Sequence, residues 1–129
     1  MNIKRGYSVA ILLGTYNGER FLEAQLDSLE SQTARHWKLY VSDDGSTDAT
    51  LDIIQRYQSK WSADKIQYQL GPQKGFAQNF LSLACDPDIK ADYFAFCDQD
   101  DVWLPEKIER CYRTYYTRKL HGSVVCIRR

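Results

Sequence analysis

The sequence lacks the patterns that mark zinc-stabilised, secreted or membrane-spanning chains. Its four cysteines, at positions 85, 97, 111 and 126, form no C-x-x-C pair, which argues against a zinc site and favours reduced thiols. No signal peptide is recognisable. The longest apolar run, residues 9–13, has the length of a strand and is far too short for a membrane span. These absences predict a cytoplasmic protein.

An excess of charge is lacking as well. The 17 basic and 17 acidic residues give a formal net charge of zero, which argues against binding nucleic acid through phosphate neutralisation. The charges are unevenly placed, because residues 110–129 hold six of the basic residues and none of the acidic ones. A length of 129 residues, 43% of them hydrophobic, indicates one folded domain. We expect that domain over residues 1–109, followed by an atypical basic tail over residues 110–129.

Apolar runs alternate with helical patterns along the chain. Strands are predicted at residues 7–13, 37–41, 66–70 and 93–97, with a further strand within residues 123–128. Helices are predicted from the cap Asn17 to near residue 33, from a cap at Ser46 or Thr47 to near residue 59, over residues 76–85, and from Pro105 onward. The alternation predicts an α/β fold, in which a mostly parallel sheet has helices on both faces and the first strand at its centre.

Three of these strands lead into loops with unusual chemistry. The loops contain Thr15-Tyr16-Asn17, Asp43-Asp44-Gly45-Ser46 and Asp98-Gln99-Asp100-Asp101. Because ligands of parallel sheets bind at the carboxyl ends of the strands, we expect the three loops to converge on one edge. In an extended chain Asp98 and Asp100 face the same side, with Cα atoms about 6–7 Å apart. Their mutual repulsion favours a divalent cation with oxygen ligands, which would also hold a substrate's phosphates.

Simpler interpretations of the same loops stay open at this point. An acidic loop can cap a helix N-terminus, where anions are favoured, and the second loop can be a plain capped turn. A Rossmann dinucleotide-binding site lacks support, since no G-x-G-x-x-G follows the first strand.

Four segments in order resemble a known family. They are the strand leading into residues 14–17, the Asp43-Asp44-Gly45-Ser46-Thr47-Asp48 segment, the Lys74–Asn79 loop, and residues 97–107 with Asp98, Asp100, Asp101, Trp103 and Pro105. The chain resembles the inverting nucleotide-sugar glycosyltransferases of family 2, which have the GT-A fold. It looks most like rhamnosyltransferase-like bacterial members that decorate cell-surface polysaccharides. The resemblance covers roughly residues 7–109 and implies a Rossmann-like, nucleotide-binding N-terminal half.

The resemblance also implies roles for individual residues, with a UDP- or dTDP-sugar as the ligand. Tyr16 and Asp44 would contact the base, within a nucleotide-binding set that also includes Thr15, Asn17, Asp43, Lys74 and Asp98. Asp43 would support its loop or reach the ribose, and Asp98 would bond the ribose or phosphate side. Asp100, with Asp98, would ligate a Mn²⁺ or Mg²⁺ ion. The alternatives without a binding role are that Tyr16 packs against the protein, that Lys74 is a solvent-exposed loop lysine, and that Trp103 packs at the junction between the strand and the helix.

One element of the family's chemistry has no counterpart in the sequence. The carboxylate general base of such enzymes lies in an acceptor half that follows the Asp-x-Asp loop, whereas the last acid here is Glu109. A truncation, or a reading-frame change near Arg110, would explain this and the basic tail. We therefore expect a glycosyltransferase with little or no activity alone. The alternatives are a non-catalytic nucleotide-sugar-binding module, a subunit completed by another chain, or an inert remnant.

The same reasoning leads to two further expectations. Apolar surface that a missing half would cover favours self-association, with the segment from Cys111 onward in the contact. The resemblance to enzymes of polysaccharide synthesis adds peripheral association with the inner membrane to the predicted cytoplasmic location.

Overall fold

A computed structural model describes residues 8–98, 100–117 and 126–127. They form one five-stranded sheet with the strand order β3-β2-β1-β4-β5. The elements are β1 (Val9–Thr15), α1 (Glu19–Glu30), β2 (Trp37–Asp43), α2 (Thr50–Trp61), β3 (Ile66–Leu70), α3 (Phe76–Ala84), β4 (Tyr93–Asp98), α4 (Lys107–Thr117) and β5 (Cys126–Ile127). The first four strands pair in parallel, and β5 runs antiparallel to β4. The predicted α/β class and the central position of β1 are confirmed.

Apolar side chains leave β1 on both sides of the sheet. Since successive residues of a strand point to opposite faces, Ile11 and Leu13 belong to one hydrophobic cluster and Ala10 and Leu12 to another. The first cluster is covered by side chains of α1, α2 and α4, and the second by Leu83 of α3. The prediction of helices on both faces is therefore confirmed.

The strands run further into their loops than the apolar pattern indicated. β1, β2 and β4 end at Thr15, Asp43 and Asp98, whereas the predicted ends were residues 13, 41 and 97. Backbone pairing across the sheet extends them, because Thr15 lies opposite Asp43 and Gly14 lies opposite Asp98. These polar residues are thus the last residues of their strands, at the carboxyl end of the sheet, where backbone pairing holds them in place.

The predicted helix caps are wrong. Asn17 has a positive φ of 47°, and its side chain does not cap α1 but accepts a hydrogen bond from the Thr47 N–H at 2.8 Å. Neither Ser46 nor Thr47 caps α2; the Asp48 carboxylate accepts from the Thr50 N–H at 2.9 Å instead. The reason is that the loops after β1 and β2 form hydrogen bonds with each other at the carboxyl end of the sheet. These bonds engage the predicted capping side chains, and the local sequence does not reveal them.

The region of the predicted tail contributes to the fold. Tyr112 of α4 is buried, and its ring packs edge-on against Tyr93 with centroids 5.3 Å apart. Ile108, which is also buried, lies just before the predicted tail in the same helix. The strand predicted within residues 123–128 is observed at Cys126–Ile127, and the rest of that segment lies outside the described residues. The division of the chain at residue 109 falls within α4 and stays a prediction. No helix in the described part of the chain has the length and apolar character needed to cross a membrane.

Lys65 is held against an aromatic ring at the amino-end edge of the sheet. Its Nζ lies 3.7 Å from the centroid of the Trp37 ring and donates to the Arg35 carbonyl at 2.7 Å. Burial of the ammonium, aided by repulsion from Arg35, lowers the pKa of Lys65 from 10.5 to about 8. The folded state therefore binds fewer protons at this site than the unfolded state between those two pH values.

This depressed pKa predicts a pH-dependent stability. Folding is less favourable when Lys65 is charged than when it is neutral, so its contribution to the free energy of unfolding should rise as the pH passes from about 8 to about 10.5. The free energy of unfolding, measured by urea denaturation, should therefore increase for wild type relative to Lys65→Met as the pH rises through that window. Gln55→Met, at an exposed position of α2, removes no titratable group and should give a nearly constant difference. A flat profile for the Lys65 pair would contradict the prediction.

Candidate functional site

A cleft of about 800 Å³ lies at the carboxyl ends of β1, β2 and β4. The chain builds β2 and β3 on one side of β1 and then crosses to place β4 on the other, so the cleft sits where the strand order reverses. Ligands of open α/β sheets bind in this position. The predicted residues that line it are Thr15, Tyr16, Asp44, Asp98 and Asp100. The three loops therefore converge, as predicted.

Asp43 is the buried anchor of the second loop. Its side chain is fully buried and accepts four hydrogen bonds. One carboxylate oxygen accepts from the Thr15 hydroxyl at 2.7 Å and the Ser46 hydroxyl at 2.6 Å, and the other from the N–H groups of Ser46 at 2.8 Å and Gly45 at 3.2 Å. A buried carboxylate needs such compensation, since an uncompensated one is strongly disfavoured. Asp43 thus joins the end of β1 to the loop after β2.

Asp44 faces the cleft and organises a different loop. One carboxylate oxygen accepts from the Gln73 N–H at 2.6 Å and the other from the Gly75 N–H at 3.1 Å. Its own N–H donates to the Thr15 carbonyl at 2.9 Å. Asp44 therefore fixes the loop between β3 and α3 along the wall of the cleft. Lys74, in that loop, is exposed and does not line the cleft.

Tyr16 and Asn17 differ in position although they are neighbours in sequence. The Tyr16 side chain is 54% exposed and lines the cleft. Asn17 does not line the cleft, and it ties the first loop to the second through its N–H, which donates to the Ser46 hydroxyl at 2.8 Å.

The acidic loop after β4 is a turn rather than an extended segment. The Asp101 N–H donates to the Asp98 carbonyl at 3.1 Å, which closes the chain on itself, so the predicted continuation of the strand geometry is wrong. Asp98 and Asp100 both line the cleft. Asp101 points to Lys107, with 3.6 Å between the Lys107 Nζ and a carboxylate oxygen. The local sequence offered no cation within three residues, and the tertiary fold supplies one for Asp101.

Asp98 and Asp100 are the residues in a position to hold a cation. Among the described residues no group of three or more His, Cys, Asp or Glu side chains is placed to hold a metal ion. Burial raises the pKa of Asp98, and the Asp100 and Asp101 charges raise it further, which shows that negative charge is disfavoured here. Mn²⁺ and Mg²⁺ prefer oxygen ligands and are commonly bound by one or two carboxylates together with phosphates. The carboxylates of Asp98 and Asp100 are therefore ligands of the kind that a divalent cation takes, and the cation and its diphosphate stay predictions.

Several cleft residues escaped the sequence-based reasoning. Gln73, Phe76 and Asn79 line the cleft, and the Phe76 side chain is 67% exposed there. Asn79 is buried, and its amide donates to the Ser42 carbonyl at 2.8 Å. Phe76 and Asn79 belong to the Lys74–Asn79 segment that carries the family resemblance, and Gln73 directly precedes it. The sequence analysis predicts a role only for Lys74 there, because a charge is the more conspicuous signal. Trp103 is buried in the core, in keeping with its predicted packing role.

Comparison with known proteins identifies relatives of this chain. The model of a family described as glycosyl transferase family 2 matches residues 10–129. The dTDP-rhamnosyl transferase RfbG of Shigella flexneri is 38% identical over 99 residues, which cover 75% of this chain and 34% of the relative. The UDP-Glc:alpha-D-GlcNAc-diphosphoundecaprenol beta-1,3-glucosyltransferase WfgD of Escherichia coli is 31% identical over 104 residues. These residues cover 80% of this chain and 39% of the relative. The chain spans about a third of the length of these curated relatives.

Solved structures share the fold. TarS of S. aureus, residues 1–349, matches with a TM-score of 0.73 and 22% identity over 85% of this chain and 32% of that one. The same protein solved with UDP-GlcNAc gives a TM-score of 0.68 and 24% identity over 85% and 31%. The mannosyltransferase PcManGT from Pyrobaculum calidifontis, in complex with GDP-Man and Mn²⁺, matches with a TM-score of 0.67 and 21% sequence identity. The match covers 78% of this chain and 29% of that one.

Asp43 should be needed for the stability of the cleft. In Asp43→Asn an amide N–H₂ would face either the backbone N–H donors or the hydroxyls, so the free energy of unfolding should fall by about 1.5–3 kcal/mol. Asp88→Asn, the same change at an exposed position, should stay within about 0.5 kcal/mol of wild type. Urea denaturation of the three proteins measures both values. Equal stability of the two variants would show that Asp43 does not anchor the loop.

Proposed function

The chain belongs to glycosyl transferase family 2 and has its GT-A type of α/β fold, and from this premise we propose that the cleft binds a nucleotide-diphosphate sugar. Relatives in this family act in polysaccharide synthesis. The observation that carries the proposal is the convergence of three polar loops on one cleft at the point where the strand order reverses. The dTDP-rhamnosyl and UDP-glucosyl relatives support a UDP- or dTDP-linked sugar as the ligand.

The base-binding side of the cleft is assigned to the first two loops. Tyr16 presents an exposed aromatic ring on which a base can stack, and Asp44 presents a carboxylate on the same cleft. Both Asp44 oxygens already accept one N–H each, and each keeps a lone pair for a ligand donor. Asp43 is assigned the support of this loop rather than contact with the ribose, because it is fully buried. Thr15 lines the cleft, and Asn17 and Lys74 are assigned to its margin.

The phosphate-binding side is assigned to Asp98 and Asp100. These carboxylates would hold Mn²⁺ or Mg²⁺ at the diphosphate, while Asp101 is neutralised by Lys107 outside the cleft. A bound divalent ion would supply Lewis-acid stabilisation of the charge on the leaving nucleoside diphosphate. The Mn²⁺ complex of the structural neighbour PcManGT supports this choice of cofactor.

Sugar transfer as a whole is a further proposal. We propose that the protein takes part in inverting transfer during synthesis of a cell-surface polysaccharide, with the described residues forming the donor site. Such transfer needs a general base on the face opposite the leaving group, and we assign that role to no described residue. The predicted low activity of the chain alone stays a prediction, and so does its peripheral location at the inner membrane.

Self-association is supported by exposed apolar side chains beside α4. Val102 and Leu104 are 59% and 66% exposed and lie in the segment between β4 and α4. The expected contact from Cys111 onward lies mostly outside the described residues and stays a prediction. Analytical ultracentrifugation over a range of protein concentrations tests it, and a monomer at every concentration would contradict it.

Metal-dependent UDP binding is the central test of the proposed function. By calorimetry, Mn²⁺ should bind weakly alone and should raise the affinity for UDP by about tenfold or more, equivalent to about 1.4 kcal/mol. Asp100→Ala should abolish this gain, because it removes a carboxylate from the cleft. The matched control is Asp101→Ala, which removes a charge already paired with Lys107 and should keep most of the gain.

Two outcomes would contradict parts of the proposal separately. Equal UDP affinity with Mn²⁺ and with a chelator would show that the acidic loop holds no functional cation. If neither UDP nor dTDP binds under either condition, the chain is not a nucleotide-binding module, and the inert-remnant alternative is favoured.

A further inference from the structure

The buried side of α1 carries polar side chains among its leucines. Leu22, Leu26 and Leu29 are fully buried, as predicted, but Gln25 is fully buried too, and Ser28 is 8% exposed. Gln32, just beyond the end of the helix, is also fully buried. Burying a polar group is unfavourable unless it finds hydrogen-bond partners.

All three polar side chains bond to the last residue of β4 or to the segment that follows it. The Gln25 amide donates to the Asp98 carbonyl, and the Ser28 hydroxyl accepts from the Trp103 N–H at 3.0 Å. The Gln32 amide donates to the Leu104 carbonyl at 2.7 Å and accepts from the Ile108 N–H at 3.1 Å. The helix and the residue just beyond it thus hold the stretch from Asp98 to Ile108 at several points, although this stretch lies more than 70 residues further along the chain.

Gln25 acts on the part of this segment that carries the cleft carboxylates. The Asp98 carbonyl accepts from Gln25 and also from the Asp101 N–H at 3.1 Å, the hydrogen bond that closes the turn. That turn directs Asp98 and Asp100 to the cleft and Asp101 to Lys107. The side-chain charges of Asp98 and Asp100 repel each other, so an uncharged anchor on the backbone keeps them together without neutralising either.

We propose that Gln25 is a positioning residue, which holds the turn at Asp98 so that the Asp98 and Asp100 carboxylates are presented together to a cation and a diphosphate. This inference rests on the proposed function of the cleft. Gln25 does not line the cleft; its amide donates to the Asp98 carbonyl and to the Cys97 sulfur, and it reaches the cleft carboxylates through the backbone of the acidic turn.

A hydrogen-bond argument separates this role from general stabilisation of the fold. In Gln25→Met the Asp98 carbonyl keeps its bond to the Asp101 N–H. The buried Cys97 sulfur loses the Gln25 amide, which donates to it at 2.8 Å, but sulfur is a weak acceptor and this loss costs little. The substitution also removes the buried Gln25 Oε1, which has no hydrogen-bond partner among the described residues. In Gln32→Met, by contrast, the buried N–H of Ile108 loses its acceptor, which destabilises a protein. Gln25→Met should therefore fold almost as stably as wild type, whereas Gln32→Met should not.

The test compares Gln25→Met with its matched control, Gln32→Met, in three measurements. In Gln25→Met the urea midpoint should stay near that of wild type, the Asp101 amide should exchange its hydrogen about tenfold faster, and the Mn²⁺-dependent gain in UDP affinity should fall about tenfold. UDP affinity in chelator should not change. In Gln32→Met the urea midpoint should fall, the Ile108 amide should exchange faster, and the Mn²⁺-dependent gain should persist.

The outcomes distinguish this inference from the proposed function. If wild type shows the Mn²⁺-dependent gain and Gln25→Met retains it in full, the positioning role is wrong. If wild type shows no gain, the proposed metal function is wrong, and the Asp101 amide then decides the role of Gln25. Faster exchange in Gln25→Met would support Gln25 as the anchor of the turn, and unchanged exchange would overturn it.

Discussion

The parallel pairing of β1 with both β2 and β4 is the constraint on which the site depends. It places Thr15 opposite Asp43 and Gly14 opposite Asp98, so three loops leave the sheet at one edge. Because β1 is buried along its whole length, this register is fixed by packing on both faces of the sheet. The cleft is therefore a consequence of the hydrophobic core rather than of attraction between its polar residues.

The acidic residues around the cleft are handled in different ways. Asp43 is buried and compensated by four donors, Asp44 is bonded to two N–H groups, and Asp101 is paired with a lysine. For the side chains of Asp98 and Asp100, the described residues provide no comparable cation or donor. The charge left uncompensated therefore falls at a single place, which supports the proposal of a cation and a diphosphate there.

The helix α1 links the core to the proposed chemistry. Its leucines pack on one face of the sheet. Gln25 and Ser28 of the helix, and Gln32 just beyond its end, satisfy backbone groups of Asp98 and of the segment after β4. Neighbouring carboxylates in one loop repel each other, which disfavours a compact loop. Buried hydrogen bonds from uncharged side chains can hold such a loop in place, whereas a salt bridge would neutralise the carboxylates. A single helix in this way contributes both packing and the positioning of a functional loop.

The sequence alone determined the order of the elements, the parallel sheet and the family. Apolar runs and helical periodicity are local, and each motif followed a strand, so Tyr16, Asp44, Asp98 and Asp100 could be predicted to lie together. Only the tertiary structure decided that Asp43 is buried while Asp44 faces the cleft, that Asn17 bonds to Thr47 instead of capping α1, and that the acidic loop is a turn. The partner of Gln25 was also beyond local reasoning, because a polar residue on a helix gives no sign of a carbonyl 73 residues away. Hydrogen bonds of this kind form only after the core has brought distant segments together, so no local pattern specifies them.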